Sequence, residues 1–414
     1  MIESQNNVAL VFGASGISGW AVTKNLLSYP SATTFSRVIA LTHRPRTVEE
    51  SGLPLDPRLE LYSGVDLRAN LEDVKQQLQS KIPNLDQVTH VYYLVATVAN
   101  QDVVAIAYTN ATAYSENVMD IKNLNVGMTH NAVHAVDQLC ASMKFFLLQT
   151  GTNNYGVAVF RYMDKIEINP PLREDQPRIP SPWGDEIFYY DQVDLIKKAA
   201  QGKQWRWCEV RPDQIVGHVP AVTSMTYVEP IALYLSLYRY INGPGAKVKF
   251  PGTNKNFVYT FTESSQDIIT RSEIYLSVVK PEEANGEGFN IADTDTPGPW
   301  SVRWPILAQY FGLEGTGPEE DAWGDLDKWW AEHQSEYHKM CEEYGLRHRN
   351  VDEAAWVFVK AGFTLLDRNR EMSLDKIRGL GFTEELSIGQ GHYLAFDRMA
   401  AEKIIPASKS LTKQ

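Results

Sequence analysis

The order of apolar and helical segments predicts an α/β fold: a doubly wound parallel sheet with helices on both faces, joined to an interleaved, mainly helical C-terminal part. Three observations carry this. Apolar, β-rich runs alternate with helical stretches through the first half of the chain. Those runs are apolar throughout instead of alternating, as strands covered on both faces are. A G-x-x-G-x-x-G series links the first run to the first helical stretch.

Taken in order, NVALVFG precedes SGWAVTKNLLSY, and RVIALTH precedes a proline-rich turn. LELYSGVDL is followed by the helical NLEDVKQQLQSKI, and VTHVYYLVAT by a long connection and NVGMTHNAVHAVDQLCA. KFFLLQTG and RWCEVRP continue the series. The connection at 96–124 is too long for an ordinary loop, and its position suggests a wall or cap over a binding site. After RPDQIVGHVP, helical segments such as PIALYLSLYRYIN and DLDKWWAEHQSEYHKMCEEYG dominate, and GFNIAD reads as a late strand returning to the sheet. The expected division is a nucleotide-binding part at 1–216, with the returning strand near 288–293, and a substrate-binding part at 217–414.

The 414 residues are 43% hydrophobic and 22% charged, with a net charge of −12 and no basic stripe. That balance excludes nucleic acid and an anionic membrane surface as expected partners. Cys140, Cys208 and Cys341 are too far apart for a disulfide framework or a zinc site. No segment approaches the roughly 18 apolar residues of a membrane span. A soluble, reducing, cytoplasmic setting is expected.

Gly13, Gly16 and Gly19 follow the first strand and open the first helix, where backbone N–H groups and the helix dipole hold a pyrophosphate. This is the Rossmann-type dinucleotide pattern, and Ile17 lies inside it. The second strand ends in ALTHRPR, with His43, Arg44 and Arg46 where an NAD selector keeps an acidic residue. Cations suit a 2′-phosphate, so NADP(H) is the expected cofactor. Asp66, beside Leu67, either accepts from the adenine amine or caps the strand end. Val95 and Ala96, past the fourth strand, are further expected cofactor contacts.

Chemistry is expected at the strand ends LLQTGTNNYG and EVRPDQIVG, with IFYYDQVD between them. The glycine series, THVYY (89–93), LQTG (148–151), IFYYDQVD (187–194) and RPDQIVG (211–217) resemble the extended short-chain dehydrogenase/reductases. Within them the chain resembles the progesterone 5β-reductase and iridoid synthase-like enone reductases. FNIAD, AQYFGL and DRMAAEKIIP extend the resemblance over essentially the whole chain.

The resemblance implies that Tyr189 hydrogen-bonds the substrate carbonyl. Two adjacent tyrosines on one helix also read as an aromatic face packed in the core, and Tyr190 is the one expected to pack there. The resemblance also implies a lysine at the position of Asn153, and no Tyr-x-x-x-Lys occurs anywhere in the chain. Lys165 and Arg161 are the candidate substitutes for that charge. Thr150 orients the site or ends its strand. Pro212 and Ile215 resemble the segment backing the nicotinamide, and Asn125 a cofactor-side helix residue. Trp356 and Phe358 line an apolar pocket or pack in a core. His130 and His134 have metal spacing but lack the glutamate of a metallohydrolase helix. The expected activity is NADPH-dependent reduction of an activated, largely apolar α,β-unsaturated carbonyl compound in specialised metabolism. The alternative is a non-redox cyclase or isomerase with NADP as scaffold. The expected partner is a small apolar carbonyl substrate, and a homodimer is left open.

Overall fold

A computed structural model describes residues 6–95, 114–159, 162, 164–220, 226–351 and 353–408; Ala96 and Arg161 lie outside them. Seven parallel strands form one sheet. They are β1 (Asn7–Phe12), β2 (Phe35–Thr42), β3 (Leu59–Ser63), β4 (His90–Tyr93), β5 (Phe145–Gln149), β6 (Arg206–Pro212) and β7 (Glu287–Ile291). Their order is β7-β6-β5-β4-β1-β2-β3. The chain reverses direction across the sheet between β1 and β4, the kind of switch point where such sheets bind ligands.

Pleating sends alternate side chains to opposite faces, and here both faces are covered. Val8, Leu10 and Phe12 pack with Val74 and Leu78 of α2 (Leu71–Lys81) and Val133 and Val136 of α3 (Tyr114–Leu139). Ala9 and Val11 pack on the other face with Trp20 and Val22 of α1 (Ile17–Leu26) and with Ile268 and Ile269. No polar side of β1 is left, which is why its run is continuously apolar. Each such buried aliphatic side chain contributes about 1.5–3 kcal/mol, and truncating Leu10 to alanine would cost about 2–5 kcal/mol.

The GFNIAD segment returns to the sheet edge, where β7 pairs with β6 from Glu287↔Cys208 to Ile291↔Pro212. The remaining helices bury their own core around Trp300, Trp304, Phe250 and Phe363. The second half is thus interleaved with the first. No helix among the described residues is long and apolar enough to cross a membrane.

Two details differ from the sequence reading, and a third concerns two aromatic residues whose role the sequence leaves open. Helix α3 already begins at Tyr114, so part of the expected 96–124 connection is helical, and 96–113 lie outside the described residues. The single helical stretch expected around 325–345 is two helices, Leu326–Glu332 and Gln334–Tyr344, separated by His333 at φ −109°. Trp356 is 5% exposed in the helical core, 6.0 Å from the Trp330 ring, whereas Phe358 is half-buried at its edge.

Candidate active site

The glycine turn closes at the end of β1. Gly13 sits at φ +86°, a left-handed conformation that favours glycine, and a Cβ there would approach the Leu94 carbonyl oxygen to 2.8 Å and Val95 to 3.3 Å. A Cβ at Gly19 would collide with the Gly13 carbonyl oxygen, so glycine is what allows α1 to press onto the strand. Gly16 is the N-cap of α1, with no side chain capping it and no acidic residue in the first turn. The helix therefore presents free N–H groups and an uncompensated positive dipole end, the donor set a pyrophosphate needs. The turn fits a dinucleotide; Ile17 is buried beneath it, and Val95 adjoins it.

His43 and Arg44 are exposed beyond β2. Arg46 is half-buried and lines a small recess with Ala14, Ser15 and Thr42 at the glycine turn. Among the described residues no carboxylate pairs with Arg44 or Arg46. Asp66 is differently placed: Oδ1 and Oδ2 accept from Arg68 Nε and Nη2, each at 2.8 Å, and Oδ1 also accepts the Arg68 N–H at 3.0 Å. That pairing holds its carboxyl at about 2. Asp66 thus forms a local turn cap, and the acceptor role expected for it competes with Arg68. Leu67 is buried beside it. Asn125 is fully buried within α3, where its Nδ2 donates to the Ile121 carbonyl at 2.8 Å.

Past β5 the chain makes a 3-10 turn, Thr152–Tyr155, and α4 (Phe188–Ala199) lies over it. Asp191 in the first turn of α4 and Lys197 and Lys198 in the last complement its dipole. Helical spacing puts Tyr189, Gln192 and Ile196 on one face, and Tyr190 about 100° away. Gln192 anchors that face by donating to Thr129 Oγ1 of α3 at 2.7 Å. Tyr190 instead donates to the Asn154 carbonyl at 2.5 Å and accepts the Ile179 N–H at 3.0 Å. The Tyr189 hydroxyl sits 3.7 Å from where a Gly151 Cβ would project and makes no hydrogen bond among the described residues. Pro212 closes the other side of Gly151, its carbonyl oxygen 3.2 Å from the same point. Ile215 follows in a two-residue strand paired with Ser264–Ser265.

Burial pushes the Tyr189 phenol up to about 12, and the Glu209 carboxylate pushes the same way. Among the described residues no cation offsets this. Asn153 is half-buried, and its Oδ1 accepts the Ala158 N–H at 3.1 Å, so it shapes the turn locally. Lys165 is exposed and ion-pairs with Asp164 at 2.8 Å, which removes it as a substitute for the lysine. Lys122 is engaged by Asp191 at 2.8 Å and the Asp185 carbonyl at 2.7 Å. The His130 and His134 rings adjoin at 4.4 Å, and no group of three or more His, Cys, Asp or Glu among the described residues could hold a metal.

Sequence reasoning missed the polar network under this turn. Thr150 donates to Glu209 Oε1 at 2.5 Å, and Asn154 Nδ2 donates to the same oxygen at 2.7 Å. Arg211 Nη2 lies 2.7 Å from Glu209 Oε2. Its Nη1 donates to the Tyr155 hydroxyl at 3.1 Å, and that hydroxyl donates to Asn290 Oδ1 at 2.7 Å. The available signal was Glu209 and Arg211 two residues apart in a largely buried strand, hence on one face of it.

A seven-stranded parallel sheet with a glycine-rich turn at its switch point, and a tyrosine helix over the ends of β5 and β6, defines an extended short-chain dehydrogenase/reductase fold. Residues 9–406 match the family described as a PRISE-like Rossmann-fold domain, and the chain belongs to that family. It is 56% identical over 406 residues to the short chain dehydrogenase ausT of Aspergillus calidoustus, covering 98% of this chain and 96% of that one. It is 27% identical over 406 residues to a 3-oxo-Delta(4,5)-steroid 5-beta-reductase of Arabidopsis thaliana, covering 98% and 94%. A mutant UDP-glucuronic acid 4-epimerase from Bacillus cereus, in complex with UDP-4-deoxy-4-fluoro-glucuronic acid and NAD, shares the fold with a TM-score of 0.58. It is 13% identical over 95% of this chain and 99% of its own.

Proposed function

We propose that this chain is an NADPH-dependent reductase that adds hydrogen 1,4 across an activated, largely apolar α,β-unsaturated carbonyl compound in specialised metabolism. The carrying observation is the Tyr189 hydroxyl: it has no protein partner among the described residues, lies against Gly151 at the end of β5, and is held in its protonated form. Gly13, Gly16, Ile17 and Gly19 would hold the pyrophosphate, while Val95, Pro212 and Ile215 would flank the nicotinamide. His43, Arg44 and Arg46 present cations and no carboxylate to the ribose, which supports NADPH over NADH.

When bound, the nicotinamide supplies the hydride to the β-carbon. Negative charge then develops on the carbonyl oxygen, and a phenol O–H aimed at that oxygen stabilises the enolate, which takes up a proton from solvent to complete the addition. Tyr189 needs no neighbouring cation for this, because it acts as a donor and not as a base. Glu209, Thr150 and Asn154 hold the backbone beneath it. In this reading residues 1–216 bind the nucleotide and 217–414 shape the apolar substrate pocket.

Asn153 favours a second reading. With no lysine beside the tyrosine, the same acid could catalyse cyclisation or isomerisation of a reactive carbonyl, with NADP as scaffold. Incubation with NADPH and a panel of small enones, followed at the nicotinamide absorbance, separates the two. Substrate-dependent consumption of NADPH supports reduction. Product formation without consumption supports the second reading and overturns the first.

A further inference from the structure

We propose that Glu209 is a positioning residue for Tyr189: anchored on Arg211, its carboxylate ties Thr150 and Asn154 into one turn beneath the phenol and adds negative charge near it. This deepens the reading of Tyr189 as the acid and rests on it.

The geometry is specific. Glu209 is 1% exposed at the middle of β6. A lone carboxylate there would carry a large desolvation penalty, so each of its oxygens must be satisfied. Oε1 accepts from Thr150 and Asn154 on the β5 side, and Oε2 accepts from Arg211 Nε at 2.9 Å and Nη2 at 2.7 Å on its own strand. Asn154 also donates to Thr150 Oγ1 at 2.9 Å and to the Gly151 carbonyl at 3.1 Å, so the turn under Tyr189 is one closed unit. The Asn154 carbonyl in turn receives the Tyr190 hydroxyl. One carboxylate therefore fixes both the β5 end and the first turn of α4.

The charged and titratable groups that feel Glu209 come from several neighbouring elements. Arg211 and Cys208 lie on β6, Tyr155 ends the 3-10 turn, Tyr189 and Tyr190 are on α4, and Arg178 approaches from the preceding loop. Arg211 and Arg178 are occupied, by Glu209 itself and by Asp194 at 2.8 Å. At Tyr189 burial and the Glu209 carboxylate act together to keep the phenol protonated. The consequence is directional. Alcohol oxidation needs a phenolate to take a proton, whereas enolate stabilisation needs the phenol, and Glu209 favours the second.

The test reads Tyr189 directly and needs no substrate. Tyrosine ring carbons are labelled, the Tyr189 resonance is assigned by its loss in Tyr189→Phe, and its ionisation is followed by NMR against pH. In Glu209→Gln the onset of ionisation should fall by about one pH unit or more, since a like charge is removed. Thr150→Val removes a hydrogen bond to the same carboxylate without changing charge. It should leave the Tyr189 titration in place. A folded Glu209→Gln protein whose Tyr189 titrates as in the parent overturns the proposal, and so does an equal shift in Thr150→Val. Where the single variant fails to fold, Glu209→Gln with Arg211→Met leaves no buried charge and carries the same expectation. Failure of the reductase reading appears only in the enone assay, so the two are distinguishable.

Discussion

Arg370 Nε lies 3.0 Å from Oδ2 of Asp213, and the other oxygen of Asp213 accepts the Thr152 hydroxyl at 2.8 Å. Both charged side chains are buried, at 2% and 3% exposure. A residue late in the chain thus reaches across to the turn that follows Gly151, linking the helical half to both strand ends of the site. Truncating one partner of such a pair leaves an uncompensated buried charge. Arg370→Met should therefore destabilise the protein by about 3–5 kcal/mol. The double variant Arg370→Met/Asp213→Asn should recover part of that loss. Chemical denaturation of the three proteins checks this, and a double variant no more stable than the single one would contradict it.

The two adjacent tyrosines should separate cleanly by what their hydroxyls touch. Tyr190→Phe removes a donor to Asn154 and an acceptor for Ile179, so it should lower stability by about 1–3 kcal/mol. Tyr189→Phe removes a hydroxyl with no partner among the described residues and should leave the denaturation midpoint nearly unchanged. Its turnover should fall roughly 10²-fold or more if that hydroxyl stabilises the developing oxyanion. With the phenol raised to about 12, parent turnover should lose no Tyr189-dependent activity through neutral pH and decline only on the alkaline side. The opposite pattern, with Tyr190 essential and Tyr189 dispensable, would move the chemistry by one residue.

The sequence reading recovered what local pattern can carry. Continuous apolar runs revealed strands covered on both faces, because β1 has no polar side to show. The glycine series revealed the turn, since Gly13 needs a positive φ and Gly19 a close approach to the strand. It did not reveal Asp213–Arg370, which pair across 157 residues with no local signature. Asp66 was ambiguous for the opposite reason: its partner is only two residues away, and Asp-x-Arg reads equally as a ligand-binding strand end. Glu209 was legible in principle. A glutamate and an arginine two apart in a buried strand have to answer each other across one face.

Cofactor preference should follow the cations after β2. Arg44 is exposed with no carboxylate partner among the described residues, so a 2′-phosphate would gain its charge-assisted bonds without displacing one. Arg44→Ala should weaken NADPH binding by about 1.5–3 kcal/mol and leave NADH nearly unchanged. Arg46 lines the recess at Ala14 and Ser15, so Arg46→Ala should weaken NADPH as well, with a smaller effect on NADH through the glycine turn. Titration calorimetry with both nucleotides checks this. Equal losses for both nucleotides in Arg44→Ala would remove it from the 2′-phosphate.

Glu273 should make stability fall as pH rises. It is fully buried in the helix Gln266–Ile274, neither carboxylate oxygen has a hydrogen-bond partner among the described residues, and burial raises its pKa well above 4.5. The sign follows from linkage. A carboxyl raised in the folded state binds a proton there that the unfolded chain has already released. Its contribution is harmless below the unfolded value and becomes destabilising as pH climbs from that value toward the folded one. Glu273→Gln keeps the shape and stays neutral at every pH. The variant should therefore match the parent near about pH 4 and exceed it increasingly toward about pH 8. Thermal melts across that range check it, and a difference that stays constant with pH would mean that Glu273 does not titrate between the two states.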